Sequence, residues 1–198
     1  MSKTYRAVST LVIVALIGLG AYYLYQRHQA RNAGILTESI VHDGDRWQAN
    51  FTARVAAPEA KVFDTIKNFD KGHYDDIKSI DVISENEHQK VVDIQIAPVP
   101  GQVMTTRLGF QFFPDQHRIT YRTLSNGPFS SEAEYYLVDE GAHTLIKFSD
   151  TTMVPSRIPV PDGIIKRFIR GYFVGQLQEL QKNLNLAEDS GPDDSDQP

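Results

Sequence analysis

One aspartate and three tyrosines stand where residue type and spacing could do chemistry. Asp150 follows Ile146 and Phe148 at intervals of two, so in a strand it shares their face. A carboxylate turned inward at a pocket mouth can act as an acid/base group or hold a ligand hydroxyl. A twist or bulge in the strand would instead leave Asp150 solvated. Tyr121, Tyr135 and Tyr172 sit within apolar patterns. A buried phenol needs a hydrogen-bond partner, which a polar ligand head or a water supplies. With Phe110, Phe148, Ile165, Phe168 and Ile169, these tyrosines form the candidate lining of an apolar cavity. Ordinary core packing is the competing reading for each of them. For catalysis the candidates are Asp150 and, beside it, a cavity tyrosine.

Other constellations are weaker. His73-Tyr74-Asp75-Asp76 offers one histidine beside acids, without a ligand spacing of known specificity, and reads as a solvated loop rather than a metal site. Arg167 and Arg170, near the start of an apolar helical pattern, either meet lipid headgroups or form a solvated face. Gly171 and Gly175, four apart, either allow close contact between helix and sheet or leave cavity space. There is no phosphate-binding glycine loop, no nucleophile elbow and no HExxH. The absence of cysteine excludes thiol nucleophiles, disulfides and thiolate-bound zinc. No metal and no cofactor is expected. Residues 1–31 carry four basic residues and no acid, so the rest of the chain nets −9 within an overall charge of −5. A net-acidic domain without a long basic run is a poor candidate for nucleic acid.

The elements that must position these residues follow from periodicity. Residues 47–55 alternate, with Trp47, Ala49, Phe51, Ala53 and Val55 on one face. Residues 58–69 place Val62, Phe63, Ile66 and Phe69 on one side of a short helix, with Pro58 suited to its first turn. A further helical turn fits residues 71–78. Strands are predicted near 79–85, 90–97, 102–113, 117–124, 131–139 and 143–154, which with the first makes seven. Turn residues such as Pro114-Asp115 and Glu140-Gly141 separate them. Short connections make the neighbours antiparallel. Phe110 and Phe112 oppose Gln111, and Tyr135 and Leu137 oppose Glu134, so one face of the sheet is apolar and the other charged. A long helix over residues 161–187 must cover the apolar face. Its stripe of Ile165, Phe168, Ile169, Tyr172, Phe173, Leu177, Leu180 and Leu184 contributes on the order of 10–20 kcal/mol of gross burial. Pro155, Pro159 and Pro161 stiffen the approach to it and either frame a pocket entrance or simply set the helix.

Residues 7–25 are uncharged and, as a helix, span about 28 Å, the thickness of a bilayer core. Tyr22, Tyr23 and Tyr25 cluster at one end, where such rings favour the headgroup layer, and no small-residue cleavage site follows. The segment therefore reads as a retained single-span anchor over residues 1–27. The basic flanks nearly tie, with the α-amino group favouring an inside N-terminus and a domain on the outer, periplasmic or extracytoplasmic side. Residues 28–45 read as a tether, 46–187 as the folded domain and 188–198 as a disordered acidic tail.

The order of strand, Ala57-Pro58-Glu59 with Val62-Phe63 in a short helix, antiparallel strands and a long closing helix resembles the START-like, or SRPBCC, superfamily over roughly residues 46–187. That superfamily includes polyketide cyclase/dehydrase-like, birch-allergen-like and coenzyme-Q-binding START-domain-like proteins. The resemblance implies an α+β helix-grip fold, a seven-stranded antiparallel sheet curled round the C-terminal helix with an apolar cavity between them. It implies ligands such as lipids, sterols, quinones or polyketides and supplies no shared catalytic residue. The iron-dependent oxygenase branch is disfavoured, because no two of the six histidines make a matching close pair. The expected function is membrane-anchored binding or transfer of a hydrophobic small molecule or lipid. The alternatives are a cyclase- or dehydratase-type enzyme and a membrane-held protein-interaction module with a filled cavity. No protein partner is indicated.

Overall fold

A computed structural model of the chain describes residues 34–71, 77–99, 102–125, 130–154 and 161–189. Eight strands form one antiparallel sheet: β1 Ile35–Asp43, β2 Arg46–Val55, β3 Ile77–Glu85, β4 Gln89–Val99, β5 Gln102–Phe113, β6 Arg118–Thr123, β7 Ser130–Asp139 and β8 Thr144–Met153. Their spatial order is β1-β2-β8-β7-β6-β5-β4-β3. Helix α1, Glu59–Lys67, and the one-turn helix Phe69–Lys71 lie in the connection from β2 near one edge to β3 at the other. Helix α2, Asp162–Asp189, closes the chain over the curled sheet.

The sheet has one strand more than the seven expected. Residues 35–43, expected as part of a tether, pair with β2 from Ile35↔Ala53 to Asp43↔Arg46. Most of this edge strand is exposed on both faces, so it lacks the apolar alternation that marks a half-buried strand. It is held from the side. Arg170 of α2 donates to Glu38 at 2.7 Å, and His42 meets Asp162 at 3.0 Å while stacking on Trp47 at 4.2 Å. Gly34 begins the strand at a φ of 76°, where a Cβ would lie 2.5 Å from the Arg54 carbonyl oxygen. The proposed anchor over residues 7–25, the His73-Tyr74-Asp75-Asp76 cluster and the acidic tail beyond residue 189 lie outside the described residues. No described helix is long and apolar enough to cross a membrane.

Register aligns the inward side chains in rows across the sheet. One row runs Ala49, Asp150, Ala133, Tyr121, Phe110, Lys90. The next runs Phe51, Phe148, Tyr135, Ile119, Phe112. Lys90 is fully buried at the far end of the first row. Its ammonium bonds Asp70, Glu85 at 3.0 Å and the Lys67 carbonyl at 3.0 Å, which ties the end of α1 to β4. A buried lysine is tolerated only with such pairing.

The second row carries α2. Phe173 stacks on Phe51 at 4.2 Å and on Phe148 at 4.8 Å, and Leu177, Leu180 and Leu184 continue the buried stripe. Gly175 is not a close-contact glycine, since a Cβ there would meet no atom within 4 Å. Phe173→Ala is expected to cost about 3–5 kcal/mol in urea unfolding. A loss below about 1 kcal/mol would show that α2 docks by other contacts.

Candidate functional site

The site is built where the first row passes under the N-terminal half of α2. Strand parity turns Asp150 inward, as the alternation indicates, and no bulge rescues it to solvent; it is 8 % exposed. Its row neighbours on both sides, Ala49 and Ala133, are too small to fill the space beside it. Two residues along each strand, Ser131 and Thr152 supply hydroxyls. Both donate to the Asp150 carboxylate, Thr152 at 2.7 Å. The Ser131 amide in turn donates to the Thr123 hydroxyl at 3.1 Å. Burial raises the Asp150 pKa, and the two hydroxyl bonds oppose that rise. Among the described residues, no cation neutralises this desolvated carboxylate.

A line of α2 residues at four-residue spacing faces this floor. Gln176 accepts the Tyr135 hydroxyl at 2.8 Å. Tyr172, one turn earlier, shares a hydrogen bond with Tyr121 in the middle of the sheet. Phe168 comes one turn before that. Burial is the main cause raising the pKa of both Tyr121 and Tyr172, with the Asp150 charge adding to it. Tyr172 nevertheless keeps 48 % of its surface accessible and Phe168 keeps 69 %. Ile169, Phe173, Val174, Leu177, Leu180 and Leu184 of the same helix are buried, so its accessible rings lie along the Phe168–Tyr172 line.

The candidate residues divide accordingly. Phe110, Tyr121, Tyr135 and Phe148 are buried on the inward face and touch one another in sequence, at ring separations of 5.3, 6.3 and 4.7 Å. Ile169 is buried and Ile165 half-buried against the core, while Phe168 and Tyr172 form the open wall. Phe148 is covered by Phe173 and belongs to the packed end. Arg170 is committed to Glu38. Ser131, Thr152 and Gln176 were not singled out from the sequence. Parity with Ala133 and Asp150, and the four-residue step from Tyr172, are the signals that locate them. Among the described residues no cluster of His, Asp and Glu could hold a metal ion.

On the opposite face lies an open trough of about 510 Å³, crossed by Gln89, Gln111, Thr120, Arg122, Glu132, Glu134, Ser149 and Thr151. Leu124 forms part of its wall by lying across Gly109, where a Cβ would come within 2.8 Å of it. Its charged and hydroxylic lining suits water better than an apolar ligand.

No family model matches the chain, and no curated protein matches it. Solved structures do. A protein from Thermus thermophilus superposes with a TM-score of 0.60 at 15 % identity, covering 71 % of this chain and 98 % of its own. The ZhuI aromatase/cyclase from a Streptomyces species gives 0.60 at 16 %, covering 71 % and 94 %. A START superfamily protein from Mycobacterium smegmatis gives 0.55 at 15 %, covering 71 % and 98 %. The chain has the START-like, or SRPBCC, fold.

The raised pKa of Asp150 has a testable sign. A carboxyl that holds its proton more tightly when folded contributes stability that is full below its unfolded pKa and is lost as pH rises through its folded pKa. Thermal melts spanning the acid range up to neutrality should therefore show Asp150→Asn gaining on the wild type as pH rises. A constant difference across that range would remove the desolvated carboxylate from the account.

Proposed function

We propose that this domain binds or transfers a hydrophobic small molecule in a cleft between the N-terminal half of α2 and the inward face of β5–β8. The observation that carries the proposal is the pairing of contact and exposure at Tyr172. Its hydroxyl reaches the centre of the sheet, yet nearly half of the residue is accessible. A ring tied to the sheet and still accessible borders open space beside the sheet. Phe168 lies on the same helix line one turn further out and extends that apolar wall. Phe110, Tyr121, Ala133 and Asp150 form the floor, mostly apolar with a few convergent polar groups, as ligand sites are. Neighbours described as an aromatase/cyclase and a START superfamily protein support this class of function. Residues 7–25 would hold the domain at a bilayer, on its outer side, where tethering raises the effective concentration of a lipid-borne ligand without new contacts.

Full-length protein is expected in the membrane fraction and, after gentle extraction, to carry apolar cargo by native mass spectrometry. Recovery as a soluble protein would remove the anchor. Protein that stays empty even when lipid is supplied would count decisively against the cargo role.

The inward, desolvated carboxylate also favours a second reading, a cyclase- or dehydratase-type reaction on an apolar substrate. Asp150 would act as acid/base with Tyr121 or Tyr172 polarising the substrate. Under this reading Asp150→Asn lowers turnover by about 100-fold or more while binding persists. An unchanged rate would exclude Asp150 from chemistry.

A further inference from the structure

Two side-chain ties hold the first turns of α2 against β1, and proton loss affects them differently. Arg170 donates to Glu38 at 2.7 Å through a guanidinium, a group that is always charged in proteins. His42, four residues along β1 on the same face, meets Asp162 in the first turn of α2. Both of its ring nitrogens face acceptors. Nδ1 lies 3.0 Å from the Asp162 carboxylate, and Nε2 lies 2.5 Å from the Gly44 carbonyl oxygen. A carbonyl oxygen can only accept, and Asp162 is 62 % exposed, where water supports the ionised form that also only accepts. A neutral imidazole has one N–H, so either tautomer would set a ring lone pair against one of these oxygens. Both contacts are hydrogen bonds in the imidazolium alone. The ring also lies flat on Trp47, with centroids 4.2 Å apart and planes 7° from parallel, and the indole face attracts a cation.

The charged groups of the elements packed about His42 come from three places. Helix α2 brings Asp162 and, one turn on, Lys166; β1 brings Glu38, which Arg170 holds; the turn into β2 brings Asp43, Asp45 and Arg46. Of these, Asp162 is the one whose tie to β1 needs the imidazole proton. We propose that His42 is a proton-operated latch, whose imidazolium clamps the first turn of α2 to β1 and whose deprotonation frees that turn. Histidine is the side chain whose charge ordinarily changes between about pH 5 and 8. The single N–H left after deprotonation serves one acceptor. The Gly44 carbonyl is two residues away and stays in reach, whereas Asp162 belongs to a separate element, so the contact to α2 is the one given up. The Arg170–Glu38 pair needs no histidine proton and bounds the freed segment to residues 162–169. That segment carries Phe168 and stops short of Phe173, whose stacking on Phe51 and Phe148 keeps the rest of the helix docked. Both partners of the latch are partly exposed, so its release frays one end of α2 and leaves the domain folded. The latch operates whether or not the cleft holds a ligand.

The test is hydrogen exchange on the full chain held in an amphipathic polymer, at about pH 5.5 and about pH 8, with rates corrected for intrinsic exchange. In the wild type, amides of residues 166–169 are expected to be about 2- to 5-fold more protected at the lower pH, the worth of one partly exposed charged tie. Amides of residues 177–184, beyond Phe173, should keep the same protection at both and so report that the domain stays folded. His42→Gln, which keeps one donor and carries no charge, is expected to remove the difference, and so is Asp162→Asn. Emission from Trp47, the only tryptophan of the chain, tells the two variants apart. The stacked imidazolium should quench it at the lower pH in the wild type and in Asp162→Asn, whereas in His42→Gln it should not change with pH. Equal protection of residues 166–169 at both pH values in the wild type, or a difference that survives either substitution, overturns the latch.

Discussion

The seating of Phe173 between Phe51 and Phe148 is the contact on which the rest of the structure depends. Aromatic rings at 4.2 and 4.8 Å bury large apolar area at one place and fix where along its length α2 meets the sheet. A helix of 28 residues is about 42 Å long, longer than a strand of 10 residues at about 33 Å, so it cannot be matched by the sheet along its whole length. Phe173 is the twelfth of its 28 residues, and the Phe168–Tyr172 line beside it stays accessible. There the helix is steadied by polar ties, Tyr172 to Tyr121 inside and Arg170 to Glu38 at the edge. Polar ties at two points hold a helix in place without adding apolar packing.

The two buried charges of the inward row make opposite use of burial. Lys90 is surrounded by Asp70, Glu85 and the end of α1, so its charge is cancelled locally and it acts as a structural clamp. Among the described residues, Asp150 has the hydroxyls of Ser131 and Thr152, which stabilise its charge without neutralising it. A desolvated, uncancelled carboxylate between two alanines costs stability that a larger apolar residue would not. That cost falls at the end of the row where the proposed cleft lies. The tyrosines beside it fit that reading, since they place polar atoms at defined points on an otherwise apolar floor.

Much of this was legible in the chain. Period-two burial is a local property, so β2 and β4–β8 declare themselves within two or three residues of their ends, and the same parity turns Asp150 inward. β1 escaped for a physical reason. An edge strand exposed on both faces has no hydrophobic period to display, and its only support is backbone pairing to β2 and side chains from α2. Lys90 escaped because a lysine on an inward parity is ordinarily evidence against burial, and its three partners come from α1, the turn after it and β3. Ser131 and Thr152 become meaningful only once β7 and β8 are in register around Asp150.

By itself, then, the sequence determined the α+β class, the inward face of nearly every strand, the apolar stripe of the closing helix and the nineteen-residue uncharged segment near the N-terminus, because each is written in the spacing of neighbouring residues. Only the tertiary structure decided that Phe173 rather than Phe168 would be the ring that docks, that Tyr172 would meet Tyr121 while staying accessible, and that Asp150 would be flanked by alanines. Those outcomes depend on strand register and on how far the helix is translated along the sheet. Both are settled by packing between residues as distant in the chain as Phe51 and Phe173, which no local periodicity encodes.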